Sequence, residues 1–131
     1  MLPAYNKPPL KTKNTIFEIK DGILFMERLT RIHFTLDSFK DLTMNRLAYT
    51  EGFSYPVIIF GKDMISMDKE AREYMSGEGC KNKLSRAFVV EKSQGKLQLQ
   101  FFIETNKQPI PVNIFDEMEP AIEWSKQFLA M

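Results

Sequence analysis

The chain has 131 residues, of which 44% are apolar and 27% charged, as expected for one globular domain with a single hydrophobic core. A formal net charge of +1 argues against a surface that binds phosphate backbones, so nucleic acid is not expected as a partner. A single cysteine and a single histidine cannot build a zinc or iron centre, and no metal or other cofactor is predicted. The sequence lacks a signal-peptide core and any apolar run of membrane-spanning length, which predicts a cytoplasmic protein without a membrane span.

The chain is predicted to begin with a flexible leader. Residues 1–11 contain three prolines and show no periodicity, and residues 12–131 are predicted to form one domain. Two apolar segments, Thr15–Ile19 and Ile23–Leu29, then flank Asp21-Gly22, a dipeptide that supplies the positive φ angles of a tight hairpin turn. The first two elements are therefore predicted to form an antiparallel hairpin.

Alternating helices and strands are predicted in the middle of the chain. Thr35 can cap a helix that is expected to end near Gly52. The apolar run Tyr55–Phe60 predicts a strand covered on both faces, and a second helix is predicted to begin at Ser66. Arg86–Val90 predicts the next buried strand.

The segment Lys96–Ile103 fits two structures. Its apolar residues alternate with polar ones, as in a half-buried strand. However, Val112–Phe115 is predicted to be a strand parallel to the preceding one, and this pairing needs a crossover. We therefore predict a helix from about Gly95 to Thr105, against the local alternation. Several acids and Pro120 then predict a final helix that packs on the sheet.

The order of these elements, together with a set of short motifs, indicates a known fold. The motifs are Lys20-Asp21-Gly22-Ile23, Phe34-Thr35-Leu36-Asp37, Tyr55-Pro56-Val57-Ile58, Ser66 to Arg72, Phe101-Phe102, Asn106 to Pro109 and Ile114-Phe115. By their order and spacing the chain resembles, from about Thr12 to Leu129, the anti-sigma-factor antagonist domain (the STAS or SpoIIAA-like fold) and its small bacterial STAS- or SEC14-like relatives. This resemblance implies an α/β fold with a mixed sheet of about five strands, an antiparallel hairpin followed by parallel β-α-β units, and about four helices.

The resemblance also implies a candidate regulatory surface. In the antagonist proteins of that family, a kinase phosphorylates a serine at the start of the helix after the central strand, typically in an Asp-Ser-Ser-Gly context. Here Lys69 stands at the acceptor position and Ser66 is the nearest hydroxyl. Asp63, Ser66, Asp68 and Lys69 are therefore the candidate partner-binding or phospho-switch surface. The other interpretation of Ser66 is an N-cap of the second helix.

Other side chains carry weaker functional hypotheses. Phe101, Phe102 and Phe128 are candidates for an apolar pocket or a dimer face, although aromatic residues more often fill the core. His33 is expected at the rim of the sheet, because the sequence places no second titratable group beside it to make it a catalytic base. Cys80 lies in a glycine-rich loop, where a reactive thiol is one interpretation.

The sequence predicts a non-enzymatic regulatory or interaction module. It would bind an unidentified protein partner through Gly61 to Ser66 and the helix that follows. The alternative is a carrier of an apolar or lipid-like small ligand, as the SEC14-like resemblance implies, with a cavity between the sheet and the later helices. An enzyme ranks third because no catalytic or metal-binding constellation is visible. The exposed edges of an open sheet also favour a homodimer.

Overall fold

A computed structural model describes residues 2–90 and 93–129 of the chain. These residues form eight strands, four α-helices and a 3₁₀ turn at Glu78–Cys80. The strands are β1 (Lys7–Lys11), β2 (Thr15–Lys20), β3 (Ile23–Arg28), β4 (Ile32–Phe34), β5 (Tyr55–Gly61), β6 (Met64–Met67), β7 (Lys83–Val89) and β8 (Val112–Phe115). The helices are α1 (Leu36–Tyr49), α2 (Lys69–Met75), α3 (Ser93–Thr105) and α4 (Met118–Lys126).

Six of the strands form one mixed sheet in the order β1-β2-β3-β5-β7-β8. The pairs β1–β2 and β2–β3 are antiparallel, whereas β3–β5, β5–β7 and β7–β8 are parallel. The predicted α/β class, the antiparallel hairpin before parallel units and the four helices are confirmed. The predicted number of about five strands is one too low for this sheet. A separate two-stranded sheet, formed by β4 and β6, was not predicted.

The additional strand of the main sheet is β1, which corrects the predicted flexible leader for residues 7–11. Pro8 and Pro9 lack an N–H group, and they are tolerated because β1 is an edge strand that pairs only with β2. The hydroxyl of Tyr49 donates to the Pro8 carbonyl at 2.7 Å, and that of Tyr55 donates to the Ala4 carbonyl at 2.8 Å. Composition could not reveal these two distant donors.

The predicted hairpin turn and first helix cap are confirmed in detail. Asp21 and Gly22 have φ angles of 52° and 79°. The hydroxyl of Thr35 accepts a hydrogen bond from the N–H of Ser38 at 3.1 Å, and the N–H of Thr35 donates to the hydroxyl of Ser38 at 2.9 Å. Helix α1 ends at Tyr49, three residues before the predicted end.

The predicted start of the second helix at Ser66 is wrong. Ser66 lies in β6, and α2 begins at Lys69 with Asp68 as its N-cap residue. The reason is the pairing of β6 with β4, which continues until the N–H of Asp68 donates to the carbonyl of Phe34 at 3.0 Å. Ser66 is therefore not a helix cap.

The ambiguous segment at 96–103 is helical, as predicted from topology. It belongs to α3, which connects β7 to its parallel neighbour β8. A parallel pair cannot be joined by a tight turn, so the crossover requirement outweighs the local alternation.

Different helices pack on the two faces of the sheet. Successive strand residues point to opposite faces, so each strand contributes side chains to both. One face, which we call the three-helix face, packs against α1, α2 and α3. The opposite α4 face packs against α4. Members of the three-helix face include Leu24, Met26, Val57, Ile59 and Phe88, and members of the α4 face include Ile23, Ile58 and Ala87.

The close approach of β3 and β5 gives a test of the fold. Gly61 has a φ of 100°, and a Cβ atom there would overlap the carbonyl oxygen of Arg28. We expect Gly61→Ala to lower the free energy of unfolding by about 3 kcal/mol or more. Gly52→Ala is the control, because Gly52 also has a positive φ (78°) but its Cβ would meet no atom within 4 Å. The control should cost only about 1–2 kcal/mol. Urea unfolding of both variants measures the difference, and equal losses would contradict the steric explanation.

Candidate functional site

The candidate site lies at the carboxyl edge of the central strands. Strands β3 and β5 are parallel neighbours, and short turns lead from them into β4 and β6. Because these two segments leave the sheet side by side, they pair again as a parallel ribbon in which His33 is opposite Ser66. The carboxyl edge of the strands is also where open α/β sheets usually bind ligands.

Three polar side chains meet on this ribbon, and we call His33, Ser66 and Asp68 the polar trio. The Nδ1 atom of His33 and the hydroxyl of Ser66 are hydrogen-bonded, and the Nε2 atom lies 2.9 Å from Oδ1 of Asp68. The side chains of His33 and Asp68 are 45% and 51% exposed. The sequence placed His33 at the rim but gave it no partner, since its two partners are 33 and 35 residues away.

The polar trio contains the residue types of a hydrolase triad but not its surroundings. In such triads a buried carboxylate orients the imidazole, which activates the serine in a site that excludes water. Here the carboxylate of Asp68 and the imidazole of His33 are both about half exposed. The arrangement therefore suits a pre-ordered polar recognition surface better than nucleophilic catalysis.

The other two predicted surface residues flank the polar trio. Lys69 is exposed at the first position of α2. Asp63 lies in the turn after β5, close to Arg28; burial lowers the pKa of Arg28 to about 10, and the charge of Asp63 opposes that shift. Asp63 also lines an open cleft of about 810 Å³ whose walls carry both signs of charge, with Glu27, Arg31 and Glu117 among them.

The structure does not bring the three predicted pocket residues together. Phe102 is buried on the three-helix face in a cluster with Phe39 and Phe88. Phe101 is 71% exposed. Phe128 packs its ring against that of Trp124, with 4.8 Å between the centroids, and Trp124 belongs to the cluster on the α4 face.

A small cavity that opens to the surface beside Lys62 and Gln98 lies on the three-helix face. Its volume is about 60 Å³. Apolar side chains from the sheet and from α1 and α3 form most of its wall, among them Met26, Phe39, Phe88 and Leu99. Five basic residues and the carboxylate of Asp63 also line it, and three of the basic residues, Arg46, Lys83 and Arg86, are buried.

The three buried basic residues, Arg46, Lys83 and Arg86, which we call the cation cluster, were missed by the sequence analysis. The Nη2 atoms of Arg46 and Arg86 both donate to the carbonyl of Gly79, at 3.4 Å and 3.3 Å. Burial, with the charge of Arg86 added, lowers the pKa of Arg46 to about 10. Burial and the two guanidinium groups hold the pKa of Lys83 well below its usual range. No local signal distinguishes these residues from solvated cations, because their burial depends on the packing of α1 against β7.

Cys80 lies beside the cation cluster, because the glycine-rich loop turns inward through the 3₁₀ turn. The thiol is buried and donates to the Met75 carbonyl at 3.1 Å. Its reactivity stays a prediction.

The structural comparison identifies the fold. A crystal structure of an uncharacterised DUF3478-family protein from Shewanella loihica PV-4, described as having a SpoIIAA-like fold, aligns with 95% of this chain and 96% of its own, with a TM-score of 0.57. The two sequences are 9% identical, so the likeness concerns the fold alone. The chain has a STAS or SpoIIAA-like fold, and the predicted resemblance is confirmed at that level.

The sequence comparison identifies the family. Residues 17–129 match the model of the family described as Domain of unknown function (DUF7793), and the chain belongs to that family. A search of curated proteins finds no match. Over residues 2–90 and 93–129, no helix has both the length and the apolar character needed to cross a membrane. The same residues contain no group of three or more histidine, cysteine, aspartate or glutamate side chains that could hold a metal ion.

The position of Ser66 outside the helix predicts a small effect of its removal. Ser66→Ala should change the free energy of unfolding by no more than about 0.5 kcal/mol, because the side chain is exposed and caps no helix. Thr35→Ala should cost about 1 kcal/mol, since Thr35 caps α1. Chemical denaturation of the two variants checks this order, and a larger loss for Ser66→Ala would contradict it.

The lowered pKa of Lys83 predicts a pH-dependent stability. Between that pKa and the ordinary value of 10.5, the unfolded chain holds a proton that native Lys83 lacks, so stability rises with pH. As the pH approaches 10.5 from below, stability should rise more steeply than in Lys83→Met, by at most about 1.4 kcal/mol per pH unit. Lys81→Met, which removes an exposed lysine two residues away, should behave like the wild type. Parallel curves for wild type and Lys83→Met would show that native Lys83 is protonated.

Proposed function

We propose that the chain is a non-enzymatic regulatory module that binds a protein partner through the polar trio and the adjacent Lys69. The observation that carries this proposal is the hydrogen-bonded group formed by His33, Ser66 and Asp68 on an exposed ribbon. Its hydrogen bonds pre-order side chains at a surface, and this order reduces the entropy that a partner must remove on binding.

The mixed charge around the polar trio supports a protein partner. Lys69 adds an exposed cation beside the carboxylate of Asp68, and the cleft lined by Asp63 carries acids and bases together. A surface of both signs suits a partner with a complementary pattern, because charge complementarity selects partners and speeds their encounter. It does not favour a uniformly charged polymer.

Regulation by phosphorylation of Ser66 is part of this proposal. A phosphate would add about 1.5 to 2 negative charges at neutral pH and replace the hydroxyl that bonds His33. Asp68, two residues away, would repel it. Because Ser66 is exposed and does not cap a helix, such a change would alter the surface while leaving the fold intact.

The cavity on the three-helix face favours a second candidate, a carrier of a small ligand. Its volume of about 60 Å³ is far below the roughly 300–1,000 Å³ of pockets that hold drug-sized ligands. The cavity therefore supports a small occupant more than a lipid. Self-association stays a prediction, which light scattering at high protein concentration would test.

Site-specific photocrosslinking in the cells of origin tests the partner proposal. A crosslinking amino acid at position 69 should capture one protein, and the same group at position 44 should not, because Met44 is exposed on α1 outside the polar trio. The captured protein, once purified, should bind His33→Ala and Ser66→Asp at least about tenfold more weakly than the wild type. Lys81→Ala should bind within about twofold of the wild type.

Two results would contradict the proposal. One is a partner captured equally from positions 69 and 44. The other is an unchanged affinity of that partner for both trio variants. Labelling of Ser66 by a fluorophosphonate, a reagent for activated serines, would instead indicate an enzyme.

A further inference from the structure

The cation cluster buries two guanidinium groups beside the amine of Lys83, and Asp63, a carboxylate in the wall of the same cavity, forms no ion pair with them. Arg46 is 1% exposed and Arg86 is fully buried. None of the ion pairs found among residues 2–90 and 93–129 includes Arg46, Lys83 or Arg86. Burying a charge is costly unless it is paired, and the cost is greater where like charges lie together.

The hydrogen bonds of the cluster leave donors unused. Arg86 donates to the carbonyls of Met75 and Gly79 and to the side-chain oxygen of Gln108, the last at 2.7 Å. Its Nε atom and the Nη1 atom of Arg46 are nevertheless buried without an acceptor. These unused donors belong to the same arginines whose positive charge is unpaired. One bound group could therefore accept their hydrogen bonds and balance their charge.

Space for such a group is available. The cavity lined by all three cations measures about 60 Å³, whereas about 10–15 Å³ on this measure holds one water molecule. It therefore admits a group of several heavy atoms. The rest of the wall contains Arg28, Lys62 and Asp63 as well as apolar side chains such as Phe39 and Phe88, and the apolar part would accept an apolar substituent on that group.

We propose that Arg46, Lys83 and Arg86 form a binding site for a small oxyanion, a carboxylate or a phosphate, inside this cavity. Guanidinium groups present planar forks of N–H donors that match the oxygens of both anions. The oxyanion belongs either to a free ion or to a molecule with a short apolar part. The proposal does not depend on a protein partner, because the cation cluster and the polar trio share no residue.

Anion titration of the full chain tests the site. The protein is unfolded in urea, refolded and dialysed into Tris chloride, which removes any anion acquired during expression. Melting temperatures are then measured with sodium phosphate, acetate, butyrate or octanoate, at an ionic strength held constant with sodium chloride. A ligand that binds only the native state raises its melting temperature in a saturable way.

The titration also identifies the source of the oxyanion. Saturable stabilisation by phosphate or acetate indicates a free ion. Affinity that increases from acetate to butyrate or octanoate indicates the head group of a molecule with an apolar part. If none of the four anions raises the melting temperature above the chloride reference, the proposal is overturned.

Matched arginine variants locate the binding. Arg46→Met and Arg86→Met keep most of the side-chain volume, and replacing a buried charge by an apolar group often leaves a fold intact. Each should weaken the binding of the stabilising anion by about ten- to hundredfold, the value of a hydrogen bond to a charged group. Arg31→Met, which removes an exposed arginine, should bind within about twofold of the wild type.

A conservative variant keeps the test decisive if a methionine variant fails to fold. Arg46→Lys retains the charge but loses the fork of donors, so it should weaken anion binding by about tenfold while still folding. Equal affinities of Arg46→Lys, Arg31→Met and the wild type would place the anion elsewhere and overturn the proposal.

Discussion

The parallel pairing of β3 with β5 is the contact on which the rest of the structure depends. It joins the antiparallel strands of the N-terminal part to the parallel strands that follow. The two backbones approach so closely at Arg28 and Gly61 that a side chain at position 61 would collide with the neighbouring carbonyl. Because the segments that follow β3 and β5 leave the sheet side by side at this point, they pair again as β4 and β6. The polar trio is thus a consequence of a backbone register set in the core.

The two candidate sites use this architecture in different ways. The polar trio lies at the exposed edge, where its groups are about half exposed and their charges are screened by water. The cation cluster lies on the three-helix face, where burial lowers the pKa of Arg46 and Lys83. An exposed group of polar side chains lowers the free energy of unfolding only slightly, and its side chains can rearrange when a partner binds. A buried group of like charges costs the fold more, and a bound anion is the simplest compensation.

Helix α2 connects the surroundings of the two sites. Its N-cap residue is Asp68, a member of the polar trio, and the carbonyl of Met75 at its other end accepts hydrogen bonds from Arg86 and Cys80. Arg46 and Arg86 also hold the carbonyl of Gly79 in the turn that follows α2. The short helix therefore begins at the polar trio and ends beside the cation cluster.

The sequence by itself determined the elements whose signals are local. Asp21-Gly22 required a tight turn, Thr35 could cap a helix, and the apolar run Tyr55–Phe60 specified a buried strand. Topological reasoning added α3, since a parallel pair needs a crossover. Only the tertiary structure decided that residues 7–11 join the sheet, that Ser66 lies in a strand, and which residues form the two sites. The physical reason is distance along the chain. His33 contacts Ser66, and Arg46 contacts Gly79, and each pair is 33 residues apart. These contacts form only when the elements pack together, so the local sequence does not predict them.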